Sequence, residues 1–380
     1  MSDWLRLRPA ATPAMIAVFD DAATIAQARS FEIALARAQA AHGLIPADVA
    51  EAIAQGLAAA TIDPADLADE AALAGTLAIP LVRRWRGVLT GAAADALHRG
   101  ATSQDVADSV MMMQVTAASR LLAADARRVA AALAGHAVRH RATRAIGRTL
   151  LQDAVPVAFG LRLAQAARGI ADATRLLETA VADHAVVQLG GAAGTRAGLD
   201  GQGAAIAAHM AAALGLQARA PWHARRTGSC AIGAAAGILT GALGKLARDV
   251  ALLAQNAVGE AHEPRIAGRG GSSAMAHKRN PTGCQVALSA ATRAPGLVAS
   301  LLAAMPQEQE RGLGGWQAEA PVLAELFLLA SGSAAAMAVV AEGLEIDGAA
   351  IARHLEAAEA GEDIGESAAI IARLLGSDED

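Results

Sequence analysis

Apolar positions along this chain recur with the period of a helix. From Ser103 to about Arg141 no proline occurs, and Val106, Val110, Met113, Ala117 and Leu121 repeat at steps of three and four, which predicts one very long helix. Leu163, Ala167, Ile170, Thr174, Leu177 and Val181 form a second stripe. Ile232, Ala235, Leu239, Leu243, Leu246, Val250 and Leu253 form a third, and the mixing of three and four marks such stripes as seams of a helical bundle. Two further apolar helices are expected over Thr282–Ala304 and from Pro321 to Glu342, the first bent at Pro295. No segment alternates with period 2 clearly enough to define a strand. The predicted fold class is all-α.

Before about residue 100 the helical patches are shorter, broken at Gly43-Leu44-Ile45-Pro46 and at Ile62-Asp63-Pro64. This predicts a small N-terminal helical domain over 1–100, a central long-helix bundle over 101–343 and a short acidic C-terminal appendage over 344–380. Composition adds one complication. Hydrophobic residues make up 54% and the mean hydropathy is +0.34, but much of this is alanine, which favours helix without favouring lipid. The longest uncharged run, Thr227 to Gly244, carries five glycines with Thr227, Ser229 and Thr240, so a buried bundle helix is expected there and no membrane span. Pro9 and Pro13 interrupt the uncharged stretch near the N-terminus, and no targeting segment is expected. Cys230 and Cys284 are isolated, which fits a reducing, cytoplasmic setting. The net charge is −5, tyrosine is absent and aromatics are 2%, so neither a basic face nor a stacking platform for nucleic acid is present. A small-molecule partner is the expectation.

Candidate chemistry concentrates in glycine-rich joints between the long helices. Gly270-Gly271-Ser272-Ser273-Ala274-Met275-Ala276-His277-Lys278-Arg279-Asn280-Pro281 offers a hydroxyl, an ammonium and an amide within nine positions. That set suits carbanion chemistry beside a carboxylate, where Lys278 and Asn280 can stabilise a doubly charged aci-carboxylate while Ser272 moves the proton. By spacing alone it also fits a solvated Gly/Ser loop. His98-Arg99-Gly100-Ala101-Thr102-Ser103-Gln104-Asp105 opens the longest helix, where free backbone N–H groups can hold a carboxylate, although capping alone also accounts for it. His136 and His140 lie one turn apart, but Ala137 stands where a zincin needs glutamate and no third ligand follows. A solvated face is expected there, and no metal.

The first of these runs resembles the signature loop of the fumarase/aspartase superfamily, G-S-S-x-M-P-x-K-x-N-P, with Ala276 in place of the proline. The resemblance implies that Ser272 is the catalytic acid or base, assisted by Lys278 and Asn280. The Thr102-Ser103-Gln104-Asp105 stretch is similar to the family's carboxylate-binding T-S-x-D segment, preceded by His98 and Arg99. Gly147-Arg148-Thr149-Leu150-Leu151-Gln152 is similar to G-R-T-H-x-Q, with Leu150 where amine-releasing members carry a histidine general acid. Gly190 to Thr195, Pro221-Trp222-His223 and the stretch from Gln307 to Glu319 look like the carboxymuconate-cyclising branch. Gln285 and Arg226-Thr227-Gly228 depart from the family pattern.

The implied activity is lactonisation of a small polycarboxylate, 3-carboxymuconate, without a cofactor. His98, Arg99, Thr102, Ser103, Gln104, Arg148, Thr149, Gln152, Thr195 and Arg311 are the implied substrate contacts. The alternatives are a C–N lyase of the adenylosuccinate or argininosuccinate type, against which Leu150 argues, and a non-catalytic helical scaffold. Apolar stripes on several faces predict self-association. The resemblance makes that a homotetramer with shared active sites, in which the segments around Thr102, Arg148 and Ser272 come from three chains, each lying at a different end of the long helices.

Overall fold

The computed structural model describes residues 4–271, 274–275 and 278–376. Seven helices come first: α1 (Trp4–Leu7), α2 (Pro13–Val18), α3 (Asp21–Ala41), α4 (Ala47–Ala59), α5 (Pro64–Ala74), α6 (Ala78–Val88) and α7 (Gly91–Ala96). Side-chain caps start several of them, with Asp20 accepting from Ala23 N–H at α3 and Asp63 accepting from Ala65 N–H at α5, where Pro64 sits at the first helical position. The bundle follows: α8 (Ser103–Arg139), a hairpin of β1 (Arg144–Thr149) and β2 (Gln152–Ala158), α9 (Phe159–His184), α10 (Gly203–Leu214), α11 (Thr227–Leu253), β3 (Ala261–His262), α12 (Thr282–Ala304) and α13 (Gly315–Glu342). The chain closes with β4 (Glu345–Ile346), α14 (Gly348–Ala357) and α15 (Ser367–Leu374).

One buried cluster runs from Met15 to Ile371, and the expected seams lie in it: Leu163, Ile170 and Leu177 of α9 and Ile232, Leu239, Leu243 and Val250 of α11 are at most 3% exposed. The glycines of α11 have a packing reason. A Cβ on Gly233 would lie 2.1 Å from Leu301 and one on Gly244 would lie 2.4 Å from Ala291, so their absence lets α12 close onto α11. Among the described residues α11, α12 and α13 are long and apolar enough to cross a membrane. The apolar windows of α11 and α13 are mostly buried in the bundle, whereas that of α12 is only 22% buried.

The structure corrects four expectations. The fold is helical but not free of strands: β1 and β2 pair antiparallel, and β3 pairs with β4. Ala145 and Ile146 are neighbours in β1 and both lie in the interior, so both faces of the strand are covered there and the period-2 signal is lost. α13 begins at Gly315, six residues before Pro321, because Gln317 accepts from Gly314 N–H and the proline falls within the second turn. His136 is not on a solvated face: it is 8% exposed and its Nε2 lies 3.0 Å from the Ala341 carbonyl of α13. Finally, the segments around Arg148 and Lys278 share one end of the bundle, as the site geometry makes plain.

Candidate active site

Four loops converge where α8, α11 and α13 begin. Thr102 enters α8 in an extended conformation, and its N–H donates to Asp105 Oδ2 at 3.1 Å. Asp105 also accepts from Gly190 N–H at 2.8 Å and Gly191 N–H at 2.9 Å, which pins the glycine-rich loop after α9 to the start of α8. Burial pushes its carboxyl up to about 6, against the pull of these three N–H groups. Ser109 and the Gln188 backbone exchange two hydrogen bonds, and Gln188 Oε1 accepts from Trp222 N–H at 3.0 Å, so the loop before α11 is held as well.

On this frame Gln104 Nε2 donates to the His223 carbonyl at 3.0 Å while its Oε1 accepts from Arg311 Nη1 at 2.8 Å. Arg311 Nη2 donates to the Gly191 and Ala192 carbonyls at 3.1 and 2.8 Å. These partners are all neutral, so they orient the guanidinium without cancelling its charge. His223 packs closely against Gly194: a Cβ there would sit 2.0 Å from His223 Cε1, and Gly194 has φ +77°. Burial, then the nearby Arg311 charge, lowers the His223 imidazole below its usual range. Beneath the loops, Arg226 is completely buried with Asp108 on one side (2.8 and 2.8 Å) and Glu319 on the other (2.8 and 2.7 Å), its guanidinium 4.5 Å from the Trp222 ring.

His98 and Arg99 belong to the same end. His98 Nδ1 is 2.6 Å from Glu32 Oε1, and Arg99 Nη1 donates to the Leu44 carbonyl at 2.9 Å. Ser103 is half-buried at the first position of α8, and Thr195 is exposed on the glycine-rich loop.

The other implied contacts lie at the opposite end. Arg148 forks onto Glu260 at 3.0 and 2.6 Å and meets Asp153 at 3.2 Å, so its charge is already matched. Thr149 and Gln152 are exposed on either side of the hairpin turn, where Leu150 and Leu151 have φ +52° and +65°. Glu260 continues into β3, and the signature loop returns beside it. Asn280 N–H donates to the Gly270 carbonyl at 2.8 Å and its side-chain amide to the Gly271 carbonyl at 3.2 Å, while Lys278 is exposed. Glu263 caps α12 through Gly283 N–H and Cys284 N–H at 3.0 and 2.7 Å. Lys278, Asn280, Arg265 and Arg269 line a cavity of about 300 Å³. Ser272 lies outside the described residues.

The long helices run between the two ends. α11 has Arg226 before its first turn and Leu253 in its last, and its 27 residues span about 40 Å at 1.5 Å per residue. One chain therefore brings together His98, Arg99, Thr102, Ser103, Gln104 and Arg311, and separately Arg148 and Lys278 with Asn280, and it does not join the two sets. Sequence reasoning missed Glu32. Its signal was a carboxylate inside the apolar stripe of α3, between Ala28, Phe31, Leu35 and Ala36, all buried.

Over residues 10–296 the chain matches the lyase family model, and it belongs to that family within the fumarase/aspartase superfamily. It is 44% identical over 348 residues to a 3-carboxy-cis,cis-muconate cycloisomerase of Bradyrhizobium diazoefficiens, covering 90% of this chain and 77% of that protein. It is 40% identical over 380 residues to a nitrosuccinate lyase of Streptomyces davaonensis, covering 97% and 80%. The crystal structure of 3-carboxy-cis,cis-muconate lactonizing enzyme from Pseudomonas putida superposes with a TM-score of 0.91 at 34% identity, covering 98% of both chains.

Proposed function

We propose that this protein is a 3-carboxy-cis,cis-muconate cycloisomerase acting as a self-assembled homotetramer. One substrate carboxylate adds to the conjugated diene, forming a C–O bond and moving the electron pair onto the neighbouring carboxylate as an aci-carboxylate. Ser272 then delivers a proton to carbon, giving 4-carboxymuconolactone. Lys278 and Asn280 stabilise the aci-carboxylate oxygens. The observation that carries the reading is Arg311, a cation oriented by Gln104 and two carbonyls and left unneutralised beside the start of α8, as a polyanionic substrate requires. His98, Arg99, Thr102, Ser103, Gln104 and Thr195 share that carboxylate-binding end. Arg148, held by Glu260, stiffens the hairpin that presents Thr149 and Gln152. No cofactor is called for, and the reading places the enzyme in the cytoplasm.

The 40 Å separation supports this assembly, in which Lys278 of one copy meets Arg311 of another, with the largely uncovered apolar face of α12 as the contact surface. Lys278→Ala and Arg311→Ala should each be nearly inactive. Co-refolded in equal amounts, they should recover roughly a quarter of wild-type activity, since each site then draws both residues from intact copies with that chance. Activity is read as loss of substrate absorbance, because cyclisation shortens the conjugated chromophore. No recovery despite subunit exchange would rule out the shared site.

A second reading has support in the nitrosuccinate lyase relative. Leu150 argues against releasing an amine, which needs a proton, but not against releasing nitrite, which leaves as an anion. Parallel assays for lactone and for nitrite decide between them.

A further inference from the structure

The pair formed by Glu32 and His98 has features that neither residue needs for packing. Glu32 comes from α3 and His98 from the loop before α8, sixty-six positions apart, and the Glu32 side chain has no solvent exposure. Its Oε1 lies 2.6 Å from His98 Nδ1, while its Oε2 is buried with no hydrogen-bond partner among the described residues. A buried carboxylate with one oxygen left bare is costly unless it serves a charge. His98 also has φ +66°, a left-handed conformation that a β-carbon disfavours. It is held there by its neighbour, since Gln39 Nε2 donates to the Arg99 carbonyl at 2.7 Å. Strain of this kind persists where the surroundings fix a side chain for use.

We infer that Glu32 is a positioning residue that fixes the His98 ring through Nδ1–H and keeps it an imidazolium, so that Nε2–H is offered to a substrate carboxylate. This rests on the proposed reading of His98 as a substrate contact. The charged groups facing His98 are Glu32 from α3, Asp105 from α8 and Arg86 from α6. Burial lowers its ring and Arg86 adds to that, but the hydrogen bond and charge of Glu32, with Asp105, outweigh both and raise it above the ordinary histidine range. An imidazolium donor bonds a carboxylate more strongly than a neutral ring does, and it is lost as pH rises through its pKa.

The test uses the intact protein, with binding of propane-1,2,3-tricarboxylate by calorimetry and turnover of 3-carboxymuconate, each from pH 6 to 9. In wild type, affinity and kcat/KM should fall on the alkaline side with a midpoint above that of an ordinary histidine. Glu32→Gln keeps the shape and a hydrogen bond but removes the charge, so the midpoint should move down. At pH 8 binding should then be weaker by about tenfold or more, recovering toward pH 6. His98→Gln should abolish the alkaline limb, and adding Glu32→Gln to it should change nothing further. A Glu32→Gln profile that is lowered evenly without moving would make the pair merely structural and overturn the inference. So would failure of wild type to bind the tricarboxylate. If Glu32→Gln does not fold, His98→Gln decides, and an unchanged alkaline limb refutes. Should wild type bind the tricarboxylate but leave carboxymuconate untouched, the proposed reaction fails while the binding profiles still judge Glu32.

Discussion

Replacing Arg226 by methionine is the sharpest test of how the end of the bundle that carries Gln104 and Arg311 is held. Arg226 is one cation between two carboxylates, and the three side chains are at most 2% exposed. Four hydrogen bonds of 2.7–2.8 Å and the stacked Trp222 ring satisfy the guanidinium. Burial alone would lower its pKa, but Asp108 and Glu319 raise it instead, so it is charged at every accessible pH. Arg226→Met fills most of the volume yet strands two buried negative charges. Breaking a buried pair in this way costs about 3–5 kcal/mol. Urea unfolding at fixed protein concentration should report that loss at pH 7.5. It should shrink at pH 5, because protonating a stranded carboxylate removes the buried charge. The triple variant Asp108→Asn, Glu319→Gln, Arg226→Met removes all three charges and should recover most of the stability. A single-variant loss below about 1 kcal/mol, or a triple variant no better than the single, would refute the reasoning.

Asp105 makes a prediction of opposite pH sense. Its folded pKa of about 6 lies above the ordinary aspartate value of 3.8, so it contributes stability that is full below about pH 4 and lost as pH rises through 6, about 3 kcal/mol in all. Asp105→Asn should flatten the stability curve between pH 4 and 6.5, and equal slopes in the two proteins would contradict the assignment. Gly194→Ala places a β-carbon against His223 and in a left-handed conformation. Steady-state kinetics should show kcat/KM down by at least about tenfold with little change in melting temperature, because the loop sits at the site rim; wild-type kinetics would show that the loop has room to move.

Much of this fold is written in the period of its apolar residues. α12 begins and ends where its pattern does, and the stripes of α9 and α11 are buried as expected, because a three-four repeat leaves a long helix few other ways to face a core. The hairpin was illegible because neighbouring Ala145 and Ile146 are both buried, so its apolar positions do not alternate. Within the candidate site, His98, Gln104 and Arg311 were legible by resemblance to a family, and the structure brings them to one end. Glu32 was not, since a lone carboxylate in an alanine-rich helix shows its purpose only once His98 is folded against it. The separation of Thr102 from Arg148 was expected from the resemblance, but that Arg148 and Lys278 share one end was hidden: spacing along a chain says nothing of which end of a 40 Å helix a loop occupies.

The hairpin tip carries a kinetic consequence. Leu150 and Leu151 are 92% and 79% exposed and both left-handed, so the tip combines backbone strain with two hydrated leucines. A surface laid over the tip would take the two leucines out of water, and another copy of the chain would supply one. Regain of activity after dilution from denaturant should then be second order, its half-time shortening in proportion to protein concentration. Trimming both leucines to glycine would relax the backbone of the lone chain yet slow that bimolecular step.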